Sequence, residues 1–318
     1  MRTWKPGESR VAVCLVLTGA ALVILCLSAF LCAGQTSSVE GELEAIVKGL
    51  QLREQSVDSA QGVFLVKSTL NMDPEVVSRL WANIEKPSPP VAAERFTWGF
   101  QGNRFRQERV SLDVHQEELP EISRSLEIGV FDGEKGAIYK PATGYAMEVE
   151  PSRLYEVGLN GSFGAWLNLA FKYYNARIPL SRALIEKGAV IVGTSVINGV
   201  ECYHLTSPPD EWGATYSWWI APSQGFALLK YESTPDVPSQ VRSVYEFKCA
   251  DYGGIWLPSE ATRTTLKRFA DGEEFWTRKA EMKVLRLQLN QPIEEDFFSP
   301  EFASGTRVLG SVSERVIE

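Results

Sequence analysis

Histidine, cysteine and carboxylate are the raw material of metal centres and nucleophile–base pairs, and this 318-residue chain spaces them poorly for either purpose. Its two histidines, His115 and His204, lie far apart, and neither sits in a metal-binding motif. His204 alternates with Cys202 on one strand face, which leaves a two-ligand site or a hydrogen-bonded sheet histidine. A nucleophile needs an oriented base beside it. No G-x-S-x-G elbow is present, and neither Cys202 nor Cys249 has a protease-like context. Glu117-Glu118, Glu273-Glu274 and Glu294-Glu295-Asp296 fall in polar stretches, where solvated charge is the default. A glycosidase needs two carboxylates across a cleft, a pairing that spacing along the chain does not supply. The glycine-rich turns join strand to strand, so they do not cradle phosphate as a strand-to-helix loop does. The expectation is no catalytic residue, no metal and no cofactor: the chain is not an enzyme.

The remaining signal is aromatic. Nine Trp and 11% aromatics point to a large apolar interior or a cavity. Phe96, Trp98 and Phe100 share one strand face, and Tyr216 and Trp218 share another, with Trp219 opposite. Leu285, Leu287 and Leu289 line one face of a long strand. From Phe163, the residues Trp166, Leu167, Ala170, Phe171 and Tyr174 fall at helical spacing, with Ser162 as N-cap. That stripe is either an ordinary helix on a sheet or a lid over an apolar cavity. A sheet with one apolar face must cover it, with helices in a dry core or with an apolar ligand.

The elements that position these residues are mostly strands. Val190–Ile197 and Val200–Leu205 flank Asn198-Gly199, the pair that suits a type I′ hairpin. Ala214–Ile220 and Phe226–Glu232, Val241–Lys248, Ile255–Leu257, Ala261–Phe269 and Glu274–Leu289 follow. Upstream, Gln61–Leu70, Glu94–Phe100, Arg104–Leu112, Leu126–Phe131, Gly136–Tyr139 and Gly144–Val149 read as a meander, although Arg104, Arg106 and Arg109 spoil the alternation of one strand. Helices are expected over Val39–Asp58, where Leu43, Ile46, Val47 and Leu50 make a stripe, within Asn71–Ile84, with Pro74 in its first turn, and over Ser181–Lys187. Lys86-Pro87-Ser88-Pro89-Pro90 is a stiff loop.

Arg2, Lys5 and Arg10 precede an apolar run, Val11–Gly34. It reads as a cleaved signal ending near Cys32-Ala33-Gly34, as an uncleaved membrane anchor, or as a lipoprotein leader acylated at Cys32. Each places the body outside the cytoplasm, in the cell envelope. The domains are then 1–34 as signal or anchor, 39–310 as one β domain and 311–318 as a tail. Residues 1–34 carry +2 of the chain's −8, leaving about −10 on the body, a charge that repels nucleic acid. Cys202 and Cys249 are either a disulfide, worth about 4 kcal/mol in a loop of this length, or two buried thiols.

Several turn and strand-edge motifs resemble the periplasmic lipoprotein-carrier superfamily (LolA/LolB-like, with RseB relatives). They are Ile191-Val192-Gly193-Thr194, Glu201-Cys202-Tyr203, Trp219-Ile220-Ala221-Pro222, Gly225 to Lys230, Tyr245-Glu246-Phe247, Tyr252 to Pro258 and Leu289-Asn290. Phe297, Pro300, Phe302 and Gly305-Thr306 close the pattern, which covers roughly Val39–Val308. The resemblance implies a mainly antiparallel half-open barrel, an incomplete barrel with helices as a lid in its concave face. It implies a cavity for lipid or lipoprotein acyl chains, with the early helix and Phe163–Tyr174 as the lid. The cavity residues would be Phe96, Trp98, Phe100, Phe163, Trp166, Phe171, Tyr216, Trp218, Leu285, Leu287 and Leu289. The alternative is a membrane-anchored sensor with a dry core and an envelope membrane protein as partner. The Asn71–Pro90 insertion and the N-terminal run depart from the soluble carriers.

Overall fold

In the computed structural model the described residues are 41–81, 91–112, 126–149, 173–174, 178–236, 241–269, 271–299, 302–310 and 314–316. The chain divides into two units, Met1–Ala45 and Ile46–Glu318. The apolar run Val11–Gly34, the loop Lys86–Pro90 and the aromatic stripe from Phe163 to Phe171 lie outside the described residues. Among the described residues no helix is long and apolar enough to cross a membrane.

Helix α1 covers residues 41–55, with Ile46 and Leu50 fully buried on the stripe that the 3.6-residue period requires. Then come β1 (Ser59–Leu70), α2 (Pro74–Trp81), β2 (Val91–Gln101), β3 (Arg104–Leu112), β4 (Leu126–Phe131), β5 (Gly136–Lys140) and β6 (Tyr145–Val149). Two short strands, β7 (Tyr173–Tyr174) and β8 (Ile178–Pro179), pair with each other and lead into α3 (Leu180–Glu186). Tyr174 is thus in a strand, and the expected helix does not reach it.

The second half runs through β9 (Val190–Ile197), β10 (Val200–Thr206), β11 (Thr215–Ala221), β12 (Ala227–Thr234), β13 (Val241–Asp251), β14 (Trp256–Arg268) and β15 (Glu274–Leu289). Short β16 (Arg307–Leu309) and β17 (Glu314–Val316) end it, so pairing continues past residue 310 into the expected tail. Asn198 and Gly199 both take positive φ, 51° and 80°, as the type I′ turn demands.

Fifteen strands form one curved, unclosed sheet in the order β17-β16-β6-β5-β4-β3-β2-β1-β15-β14-β13-β12-β11-β10-β9. Two meanders, β1–β6 and β9–β15, are joined where β1 pairs antiparallel with β15 from Ala60↔Leu289 to Leu70↔Arg278. All neighbours are antiparallel except β16 beside β6. The fold is therefore mainly antiparallel, as expected.

The expected strands Ile255–Leu257 and Ala261–Phe269 are one strand, β14, that runs through Pro258. Pro258 is tolerated because β15 pairs only with Glu260–Arg268. Around Pro258 the strand meets β13 alone, so a missing N–H breaks no second ladder.

Candidate functional site

Register alone fixes which side chains share a face, because directly paired residues in an antiparallel ladder point the same way. Phe96, Trp98 and Phe100 sit opposite Phe64, Gly62 and Ala60 of β1. They are 1%, 3% and 7% exposed. Trp98 makes edge contacts with Phe64, Phe100 and Phe105 at ring distances of 6.0, 5.3 and 6.5 Å. Gly62 leaves room for this cluster: a Cβ there would lie 2.9 Å from the Phe64 ring.

Across β1, the same rows reach Leu287, opposite Gly62, and Leu289, opposite Ala60. Leu285 does not share this face. The register shifts between Val63↔Arg286 and Phe64↔Val284, so Leu285 is the extra residue of a bulge and stands 47% exposed. Strict alternation predicted Leu285, Leu287 and Leu289 together; a bulge opposes two residues to one and ends the parity. Upstream of it, Met282 and Ala280 occupy the face instead, both buried.

Tyr216 and Trp218 lie four strands from β15 on the same face. The rows Trp218↔Tyr231, Tyr231↔Tyr245, Tyr245↔Arg263 and Arg263↔Ala280 connect them to β15. Trp218 is fully buried, and its ring lies 6.2 Å from Tyr231, which lies 5.5 Å from Tyr245. Tyr216 is held by its hydroxyl, which donates to Asp210 Oδ2 at 2.7 Å. Asp210 Oδ1 accepts from the Trp212 and Ala214 amides. The Tyr216 hydrogen bond leads in holding the Asp210 carboxyl down at about 2, helped by those amides and Lys187.

This inner face is not uniformly apolar. Arg109 stands opposite Phe96 and pairs with Glu127 at 2.7 Å and Glu94 at 3.8 Å. Arg263 and Arg278 lie between the two aromatic groups. The irregular alternation of β3 resolves here: Phe105, Gln107 and Arg109 face inward, while Arg106 turns outward to Glu108 and the Phe297 and Ser299 carbonyls.

Trp219 points to the other face and stacks on His204, ring centroids 4.3 Å apart, with the Lys230 ammonium 4.5 Å from its ring. Burial, then Lys230, lowers the His204 pKa. Among the described residues no group of three or more His, Cys, Asp or Glu could hold a metal ion. Cys202 and Cys249 share one apolar cluster with Trp219, Ala221, Ala227 and Leu229, and both are free thiols. Of the two alternatives the structure carries the thiols. β11 and β12 intervene between their strands, and the two sulfurs are not bonded to each other. Burial pushes them up to about 11 and about 12, respectively.

Within the second unit, the part of α1 from Ile46 onward is held by residues that hydrophobic patterning does not single out. Arg53 and Glu54 are buried despite their charge. Arg53 Nε donates to the Trp256 carbonyl at 3.3 Å, and Glu54 accepts from the Ser181 amide at 2.9 Å and its hydroxyl at 2.5 Å. A polar interruption on an otherwise apolar helix face was the only available signal.

Phe163, Trp166 and Phe171 lie outside the described residues. Cavities of about 540, 540 and 290 Å³ open beside Trp276, Arg106 and Cys202; none is lined by Phe96, Trp98, Phe100, Tyr216 or Trp218.

No family model matches the chain, and no curated protein matches it. Solved structures do. A DUF1329 family protein from Desulfovibrio piger is 12% identical with a TM-score of 0.47, over 81% of this chain and 97% of that one. An outer membrane lipoprotein-sorting protein domain from Vibrio parahaemolyticus is 13% identical with a TM-score of 0.45, over 80% and 97%. LprF from Mycobacterium bovis is 10% identical with a TM-score of 0.31, over 83% and 98%.

Proposed function

We propose that this is a non-enzymatic protein of the cell envelope that binds lipid or lipoprotein acyl chains on the inner face of its open sheet. One observation carries the reading. A continuous face runs from Trp218 through Tyr231 and Tyr245 to Met282, Phe64, Phe96 and Trp98, on a sheet that is unclosed among the described residues. Fifteen strands at about 4.8 Å extend roughly 67 Å along the sheet. Among the described residues helices α1, α2 and α3 are about 22, 12 and 10 Å long, each shorter than that width. An acyl chain that replaced the present cover of this face would gain about 0.8 kcal/mol for each methylene it buries. Such binding needs no catalytic group. The residues we assign to the ligand are Phe96, Trp98, Phe100, Tyr216, Trp218, Leu287 and Leu289, together with Phe163, Trp166 and Phe171 from the segment between β6 and β7.

The second reading is a sensor or interaction protein with a dry core. The near-complete burial of Phe96, Trp98 and Trp218, away from the described cavities, favours it. Native mass spectrometry and organic extraction of the purified protein separate the two. Copurifying or exchangeable acyl species support lipid binding. Their absence, with capture of an envelope membrane protein, supports the sensor.

A further inference from the structure

The inner face contains two arginines, Arg263 and Arg278, that form no ion pair with a carboxylate among the described residues. Arg263 is paired with Tyr245 on one side and Ala280 on the other, and Arg278 lies two residues from Ala280 on the same face. Such diagonal neighbours are about 7–8 Å apart, within reach of two long side chains. Arg278 donates to the Ser68 hydroxyl at 3.0 Å, and Arg263 donates to the Ser243 hydroxyl at 3.4 Å while its guanidinium lies 5.2 Å from the centre of the Tyr245 ring. Both are half-buried, and the Nε atom of each is buried with no hydrogen-bond acceptor.

Other arginines of this sheet are treated differently. Arg106 meets Glu108, Arg109 meets Glu94 and Glu127, and Arg242 meets Glu232 and Glu274. Among the described residues neither Arg263 nor Arg278 enters an ion pair. Among the described residues, Arg109, Arg263 and Arg278 outnumber Glu94 and Glu127 at the centre of this face. Burial, then the charge of Arg263, lowers the Arg278 pKa against a smaller opposite pull from Glu94. Half-buried guanidinium groups with no anion are costly, and their fork geometry matches an oxyanion.

We infer that Arg263 and Arg278 form a binding site for a phosphate-type oxyanion, placed so that the anion heads an amphiphile whose chains lie along the flanking aromatic rows. Tyr216, Trp218, Tyr231 and Tyr245 flank the pair on one side, and Met282, Phe64, Phe96 and Trp98 on the other. The two hydroxyls, Ser68 and Ser243, fix the guanidinium planes and can donate to a bound oxygen. The lipid part of this inference rests on the acyl-binding reading above; the anion part does not.

The test uses the full-length protein in a neutral detergent with three probes: dioleoyl phosphatidic acid, dioleoylglycerol and inorganic phosphate. It compares wild type with Arg263→Gln/Arg278→Gln. Wild type is expected to bind phosphatidic acid roughly 10- to 100-fold more tightly than the diacylglycerol of the same chains, the range for charge-assisted hydrogen bonds. The double variant is expected to bind the two lipids alike. Equal binding by wild type, or a preference that survives in the double variant, overturns the anion site and leaves acyl binding intact. Phosphate binding that the double variant loses, with no lipid binding, keeps the anion site and removes the acyl reading. No binding of any probe removes both. If the double variant loses its near-ultraviolet circular dichroism, Arg278→Lys is read instead. It keeps the charge and loses the fork, so a preference cut several-fold supports the site and an unchanged one overturns it.

Discussion

Gly49→Ala reads out how firmly α1 is packed. A Cβ at Gly49 would lie 2.2 Å from both Cδ2 and Cε2 of Phe226. Carbon atoms in contact sit about 3.5–4.0 Å apart, so the ring would have to retreat by more than about 1 Å. It has little freedom to do so, because Phe226 is held at φ 61°, a conformation that bulky side chains rarely adopt. Overpacking of this kind costs about 1–3 kcal/mol. Alanine in a helix interior returns up to about 1 kcal/mol of that over glycine. The single variant should therefore be less stable than wild type by up to about 2 kcal/mol. The decisive measurement is the double-mutant cycle with Phe226→Ala, read by urea unfolding followed at tryptophan emission. Without the ring the clash is gone, and Gly49→Ala should become stabilising by roughly 0.5–1 kcal/mol. The sign should thus reverse between backgrounds. If Gly49→Ala stabilises both backgrounds equally, the helix does not press on Phe226, and the packing of α1 described above is wrong.

Three further outcomes are expected. Leu285→Ser should change stability by less than about 0.5 kcal/mol and Leu287→Ser by more than about 1 kcal/mol in the same unfolding assay; equal costs would remove the bulge argument. At pH 8, thiols held near 11 and 12 carry a thiolate fraction roughly a hundredfold or more below that of a free cysteine. Iodoacetamide should accordingly label Cys202 and Cys249 very slowly until denaturant is added; fast labelling of the native protein, or a linked peptide pair after digestion without reductant, would contradict two buried thiols. The depressed carboxyl of Asp210 contributes stability that is present above its ordinary value of 3.8 and is lost as pH falls through about 2. Asp210→Asn should flatten the stability profile between pH 4 and pH 2, and a profile identical to wild type would show that the Asp210 carboxyl does not carry this pH dependence.

Most strand positions were legible because alternation and turn chemistry are local. Leu126–Phe131 and Glu274–Leu289 coincide with β4 and β15, and Asn198-Gly199 turns as its residue types require. What local patterning could not reach were facts of register. The bulge at Leu285 exists because of the pairing with Val63 and Phe64, more than two hundred residues earlier in the chain. The continuity of β14 through Pro258 depends on where β15 stops. The inward direction of Arg109, Arg263 and Arg278 also follows from pairing, and a search for apolar rows passes over them. Buried Glu54 is of the same kind, since its partner Ser181 belongs to another helix. Phe96, Trp98 and Phe100 were legible as a row, but their meeting with Leu287 and Leu289 requires β1 between them.

The arginines change what the aromatic face is suited to receive. A face lined only by Phe, Trp and Met would hold any apolar chain in any orientation, since burial is non-directional. On the proposed reading, two guanidinium groups in its middle would impose a direction, with the head of an amphiphile drawn to Arg263 and Arg278 and its chains directed toward Trp218 or toward Trp98. The same arrangement works against a dry core. A dry core would be more stable with apolar residues of similar volume at these positions than with unpaired charge. Retaining the charge makes physical sense where an anion arrives to meet it. A sheet filled solely by its own side chains would gain stability from Arg263→Met and Arg278→Met, whereas a ligand-binding face would gain stability and lose its anionic ligand. Measuring both quantities on the same two variants therefore decides between the readings.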